Sequence, residues 1–533
     1  MLTEDLIIDK DILMVQTQSS KSDYQTSASV VLASGRYNYQ SKLNPGDHIF
    51  IWMGDDLTNL IALKENLKNG DSCNDKESGL KFYGRVTSVR TNYSTQSTGV
   101  KTTRYNLSLS GFSEFGATIY YNPLLYDPSF DGKSQVFAAD NFIAGVSAKW
   151  RSLIFPLSGA KTDDYLSSQS FVDFFIDVFL GEGPKRKKAG SVKKTSSTAF
   201  LIPKRVAEVF GADSSAVYFS DVFYRLLGIQ NTDGSQYYPI VDQDPQRSTV
   251  FKSKNKVVGN MLTPPDSFDS TIWSLIDNYK NGTLNECYNT LKLNVDDTIS
   301  PHFILRQIPF NTDKYIADTF SIKGKNGLKE QQQISHTKFS TLPIWNISPT
   351  WPVYSFNIGN SDASRFNFFS VFAHYTATDT ADPNLPKLWE QYQSIAEGNL
   401  EDYERDIERS GPRNMITTAY TNFINFNNKF GPATWTRMIS DWYKNGHLKL
   451  NGSINCAGIS LPICVGDNLQ VANKLLHIEA VSHSYTQDEN GGSRSFSSSI
   501  SLSRGISVDS SLDSKEIKDI QNQFSSGISS ESE

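Results

Sequence analysis

The chain has 533 residues, 38 % apolar and 12 % aromatic, with 51 Lys and Arg against 57 Asp and Glu and a net charge of -6. That length exceeds a single core, so three or four globular domains are expected, and the charge balance gives no general attraction to nucleic acid. The cysteines Cys73, Cys287, Cys456 and Cys464 lack the close pairing of a disulfide framework or zinc knuckle, and neither a secretory leader nor a run of about 18 apolar residues occurs; a soluble protein with reduced thiols and no membrane segment is expected.

In chain order, residues 1–122 read as antiparallel strands. Ile49 and Ile51 alternate with polar residues, as do Tyr105, Leu107 and Leu109, which puts one face in a core and the other in water. Residues 123–336 are inserted α+β material. They hold an apolar helix over Phe171–Leu180, a basic loop over 184–194, a helix over Asp269–Tyr279, and strands at Leu291–Val295 and Phe303–Phe310. The loop carries Lys185, Arg186, Lys187, Lys188, Lys193 and Lys194, and is either a contact for phosphates or an acidic partner, or a solvated loop. Residues 337–385 supply strands to a second β domain, and 386–445 read as helical, with helices at Glu401–Arg409, Thr417–Asn428 and Thr434–Tyr443. Residues 446–506 form the core of that second domain, whose first strand is read over Gly446–Gly452, and 507–533 read as a flexible Ser/Glu-rich tail.

The two β regions repeat one another. Leu43-Asn44-Pro45-Gly46-Asp47 and the strand after it return as Ile463-Cys464-Val465-Gly466-Asp467. The strand through Val89 and Tyr93 returns through Val481 and Tyr485, and the one through Leu107 returns through Ile500. Asp47 and Asp467 are 420 apart and Val89 and Val481 are 392 apart, so one insertion of 28 residues lies between Gly54 and Lys81, in a polar stretch (Asn66 to Ser78) that reads as a loop. Two copies at opposite ends of a chain predict a pseudo-symmetric body, and meanders this short are expected to close into barrels so as to hide their edges. The predicted class is mainly β with inserted α+β: two pseudo-equivalent antiparallel β-barrel domains plus peripheral mixed domains.

Enzyme motifs are not found: no His-Glu-x-x-His, Gly-x-Ser-x-Gly, phosphate-binding loop or Gly-x-Gly-x-x-Gly occurs. His477 and His483, six apart on one strand, would share a face about 20 Å apart, too far for one metal, and read as surface residues. No catalytic, cofactor-binding or metal-ligating residue is therefore assigned.

Taken together, the helix with Trp273, the Asn285-Glu286 pair, Leu305-Arg306-Gln307-Ile308-Pro309-Phe310, the Ser410-Gly411-Pro412-Arg413 turn and the strand group Gly446–Gly505 resemble the baseplate hub proteins of contractile phage tails, with the hub part of type VI secretion spike proteins a more distant relative. The resemblance is clearest over 268–310 and 405–505. It implies a homotrimer whose two tail-tube-like barrels per chain make a pseudo-sixfold ring, with outer strands pairing across subunits. That ring would adapt the tail tube, or a tube-initiator protein, to the central spike, inside surrounding wedge proteins and around a DNA channel with no specific DNA binding. It also implies a virion location, assembly in the host cytoplasm, and no enzyme activity or cofactor. Two alternatives stand beside it: a tail-associated cell-wall hydrolase with its site in 126–336, and a receptor- or carbohydrate-binding tail protein.

Overall fold

Strands with alternating apolar residues dominate the chain. A computed structural model describes residues 6–33, 37–95, 101–114, 343–347, 350–373, 400–419, 443–471, 474–488 and 493–507, with shorter pieces between 117 and 440. The protein is mainly β. Its first unit comprises β1 (Ile12–Ser20), β2 (Ser27–Ala33), β3 (His48–Trp52), β4 (Leu80–Thr95) and β5 (Lys101–Gly111), paired antiparallel in the order β1-β2-β5-β4-β3. Val15, Val30, Leu32, Phe82, Val86, Tyr105, Leu107 and Leu109 fill its core, which is the inward face that the period-two pattern predicts.

Short elements follow: β6 (Leu201–Ile202), α2 (Lys204–Val209), β7 (Val217–Tyr218), and the hairpins β8 (Asn285–Leu293) with β9 (Ile299–Gln307) and β10 (Asp318–Lys323) with β11 (Lys329–Ile334). The second unit is built from β12 (Ile344–Asn346), β13 (Val353–Gly359), β17 (Leu450–Ala457), β18 (Asn468–Val471), β19 (Lys474–Gln487) and β20 (Arg494–Ser507). Its antiparallel order is β13-β17-β20-β19, with β18 on β19 and β12 parallel on β18. Between β13 and β17 stands a small sheet of β14 (Phe368–Ala373), β15 (Gln391–Ile395) and β16 (Asn414–Ala419), with α3 (Leu400–Ser410) leading into β16. Gly411, with φ 73°, ends α3, its N–H donating to the Ile407 carbonyl.

Five strands of each unit match in order and, over long stretches, in register. His48 pairs with Arg85 as Asn468 pairs with His477, and Val89 pairs with Leu107 as Val481 pairs with Ile500. Gly46 and Gly466, at φ 95° and 88°, make the same left-handed turn, their N–H groups donating to Val86 and Ile478. Val86 and Ile478 in turn donate to the carbonyls of Asp47 and Asp467. Even the irregularities coincide: a β-bulge falls between Val86 and Ser88 in β4 and between Ile478 and Ala480 in β19. A second falls between Ile12 and Met14 in β1 and between Val353 and Ser355 in β13. Bulges fix where a strand bends, so the repeat extends to curvature, and it covers five strands rather than the three visible in the sequence.

Several expectations are corrected. The stretch Asn66 to Ser78 is loop only from Gly70 onward, because α1 (Leu57–Asn69) ends inside it, started by the Asp56 carboxylate accepting from the N–H groups of Thr58 and Asn59 and stopped by left-handed Gly70. Gly446–Leu448 is a 3₁₀ turn, and the strand begins at Leu450. Residues 386–445 are not uniformly helical: β15 lies there, and the segment from Thr417 to Ala419, expected to open a helix, is the end of β16, in keeping with its β-branched run Ile416-Thr417-Thr418. The expected helix Phe171–Leu180, the basic loop and most of Asp269–Tyr279 lie outside the described residues, as does the expected tail 507–533 except Ser507, which ends β20. The expected class, mainly β with a large antiparallel sheet, is what the structure shows: among the described residues the strands of the two units run together as one 11-stranded sheet.

Candidate assembly interface

The two units are joined by strand addition. β18 covers one edge of β19 only from Lys474 to His477; beyond the bulge at Glu479, β1 takes over that edge in the register Met14↔Thr486, Val15↔Tyr485, Thr17↔His483 and Ser20↔Ala480. Tyr485 and Phe496, from the second unit, pack against the core of the first. Gly458 makes room for that arrangement: a Cβ there would lie 1.9 Å from Cδ1 of Phe496. The seam is therefore made by backbone pairing together with two aromatic side chains of the second unit packed on the first unit's core.

Four charged side chains lock its end. The Lys21 ammonium, just past β1, pairs with Glu286 of β8 and lies 3.4 Å from Oε2 of Glu479, while the Arg504 guanidinium is 2.6 Å from Oε1 of Glu479 and 3.7 Å from Glu286. The Lys21 and Glu286 side chains are only 6 % and 9 % exposed. Two cations facing two anions leave no net charge to be solvated, which is the condition for burying such groups. Arg504 reaches inward because β20 carries an additional bulge there, with φ 53° at Arg504 itself. Burial pushes the Glu479 carboxyl up, but Arg504, Lys21 and a hydrogen bond from Ser503 outweigh it and hold the group well below the usual carboxylate range.

The histidines expected on the surface are buried. Nε2 of His477 is 3.0 Å from the Lys21 ammonium, which can only donate, so Nδ1–H donates to Oδ1 of Asn468 at 3.0 Å. Nδ1 of His483 is 2.8 Å from Oγ of Ser498. The bulge at Glu479 shifts the alternation, so the two rings lie on opposite faces of β19 rather than on one. A second contact between the units forms where Lys81 donates to the carbonyls of Ser460 and Leu461, both at 2.7 Å; burial lowers its ammonium to about 7.

Both ends of the joined body carry open edges. β13 pairs only with β17, and residues 88–94 of β4 have no strand on the edge that β3 leaves at Leu80–Arg85, among the described residues. Tyr93, Tyr354 and Phe356 on these edges are 78 %, 65 % and 44 % exposed. An exposed edge rich in aromatic residues is a template for pairing with another strand.

The sequence-predicted contact residues Lys185, Arg186, Lys187, Lys188, Lys193 and Lys194 lie outside the described residues. Sequence reasoning missed the charged lock, whose members come from residues 21, 286, 479 and 504 and share no local motif. No group of three or more possible metal ligands occurs among the described residues. No family model and no curated protein matches the chain. Among solved structures it is similar to the 43 kDa tail protein of prophage MuSo2 from Shewanella oneidensis, at 9 % identity over 92 % of this chain and 93 % of that one, with a TM-score of 0.38. It is also similar to the tail protein from Neisseria meningitidis MC58 (8 %, 92 % and 92 %, TM-score 0.36) and to prophage tail protein gp18 from Listeria monocytogenes EGD-e (8 %, 98 % and 96 %, TM-score 0.27).

Proposed function

We propose that this protein is a structural component of a phage tail, the baseplate hub, which assembles as a homotrimeric ring between tail tube and central spike, with wedge proteins outside it. The observation that carries this is the doubled unit joined by strand addition and left with an open edge at each end. Such a body is stable against non-specific edge pairing when its ends meet other copies head to tail, and a head-to-tail contact that closes gives a ring. Three chains of two units each place six similar β units around one axis. The net charge of -6 per chain suits a conduit for DNA, because a continuous basic lining would add a salt-dependent attraction for every phosphate neutralised. Lys185, Arg186, Lys187 and Lys188 are then assigned to the outer rim, against an acidic neighbour, and no catalytic role is assigned.

Light scattering tests the assembly. A particle of about 180 kDa, three times the 59.6 kDa chain, is expected, and a stable monomer at micromolar concentration would overturn the ring. Replacing the four basic residues with Ser is expected to leave the particle size unchanged.

A further inference from the structure

The two contacts that join the units treat their lysines differently. At the end of the seam Lys21 lies among carboxylates, so its charge is met inside the protein. Lys81, on β4, is held by the carbonyls of Ser460 and Leu461, and it makes no ion pair among the described residues. The acidic groups whose charge reaches it are Asp55, just before α1, and Cys464, in the turn before β18. Neither stands as a counter-ion: the Asp55 carboxylate accepts from the Ser460 hydroxyl, and burial, with Asp467 nearby, keeps the Cys464 thiol protonated. On β19, burial and then the Lys81 charge hold the His483 imidazole well below its ordinary range, so that ring is neutral. Two carbonyls take only two of the three N–H groups of an ammonium, and a buried cation without an anion is costly.

Beside Lys81 the seam leaves a cavity of about 40 Å³. Its wall runs from Lys81 through Thr17 and Ser19 of β1 to His483 of β19, with Thr26, just before β2, also lining it. Thr17, Thr26 and His483 are buried, and the Ser19 hydroxyl is buried without a hydrogen-bond partner among the described residues. Buried hydroxyls are nearly always paired, so this one marks a place for an occupant. The volume has room for about three waters, or for one monatomic anion with a water beside it. Water would satisfy the hydroxyl but leave the ammonium uncompensated, whereas an anion does both. We propose that this cavity binds a small monatomic anion of the chloride class, held by the Lys81 ammonium and the Ser19 hydroxyl, which completes the contact between the two units. Proton and anion are then linked. Burial lowers Lys81 to about 7 from the ordinary 10.5, so the folded chain sheds this proton as pH rises past 7. The cost of the bare ammonium is fully present below that pH and fades as pH climbs toward 10.5. The anion relieves it on the acid side, and its apparent affinity falls with the protonated fraction on the alkaline side.

Thermal melting of the full chain tests the site, with sodium chloride exchanged stepwise for sodium gluconate at fixed ionic strength, since gluconate is too large to enter. The reference is Lys81→Met, which keeps the stem and removes the ammonium, so that the general action of the two salts cancels. At about pH 6, chloride is expected to raise the melting temperature of the parent by about 1–2 °C more than that of Lys81→Met. At about pH 9 the chloride concentration needed for the same difference should be at least about tenfold higher. Ser19→Ala should raise that concentration several-fold at the lower pH. The same chloride response in parent and Lys81→Met, or a difference that is equal at the two pH values, would overturn the proposal and leave water as the occupant. Crystals of the parent soaked in sodium bromide decide the matter should Lys81→Met fail to fold. An anomalous bromide peak beside the Lys81 ammonium is expected, and a cavity without one would overturn the proposal.

Discussion

The two β units share one backbone and differ in what they hold at one corner. In the second unit, Glu479 sits at the bulge of the long strand, His477 lies beside it, and Lys21, Glu286 and Arg504 converge on them in a largely buried cluster with no net charge. In the first unit the same bulge carries Thr87, the neighbouring position is Arg85, and both are exposed. Alternation, left-handed glycines and bulges decide the strand geometry in both units. A handful of side chains then decide whether the edge at that corner is closed for good or left open.

The sharpest way to break this contrast is Lys21→Ala, which takes a cation from buried Glu286 and half-buried Glu479. A loss of about 3–5 kcal/mol is expected, read by urea denaturation. Thr87→Ala, at the corresponding corner of the first unit, should change stability by less than about 0.5 kcal/mol. Gly458→Ala comes next. Its Cβ would strike the Phe496 ring, which packs into the first unit's core, so a loss of about 1–3 kcal/mol is expected with altered near-ultraviolet dichroism.

A titration separates His48 from its counterpart Asn468. Burial, then the nearby Arg85 charge, lowers the His48 imidazole to about 4, so the folded state binds its proton less readily than the unfolded chain. The resulting stability is present above about pH 6.5 and lost as pH falls toward 4. His48→Asn should flatten part of that acid slope, by about 1–3 kcal/mol across the window, and a slope unchanged by the variant would place its origin elsewhere.

Part of this organisation was legible in the sequence. The Gly-Asp turns and the strands through Val89 and Val481 announced the repeat because turn glycines and inward apolar residues leave a periodic trace. The remaining two strands of each unit did not, since 90 residues separate β13 from β17 in the second unit while six separate β1 from β2 in the first. The histidines were misplaced for a geometric reason: counting alternation through Glu479 ignores the bulge there, which exchanges the faces beyond it. The charged lock left no trace at all, because its members meet only after four distant segments have folded.

The seam also has a timetable. β1 leaves the ribosome well before the strand that covers its outer edge, which begins at Lys474, so about 450 further residues must be made before the two can meet. At ~5–20 residues per second that interval is roughly 20–90 seconds. During it the edge stands open to any passing chain, and the charge of Lys21 at its end is what nascent strands use to discourage such encounters. The residue that later neutralises Glu286 and Glu479 thus serves first as a sentry. Refolding of the full chain is expected to be slow and concentration-sensitive for the same reason, with Lys21→Ala aggregating sooner in a dilution series followed by turbidity.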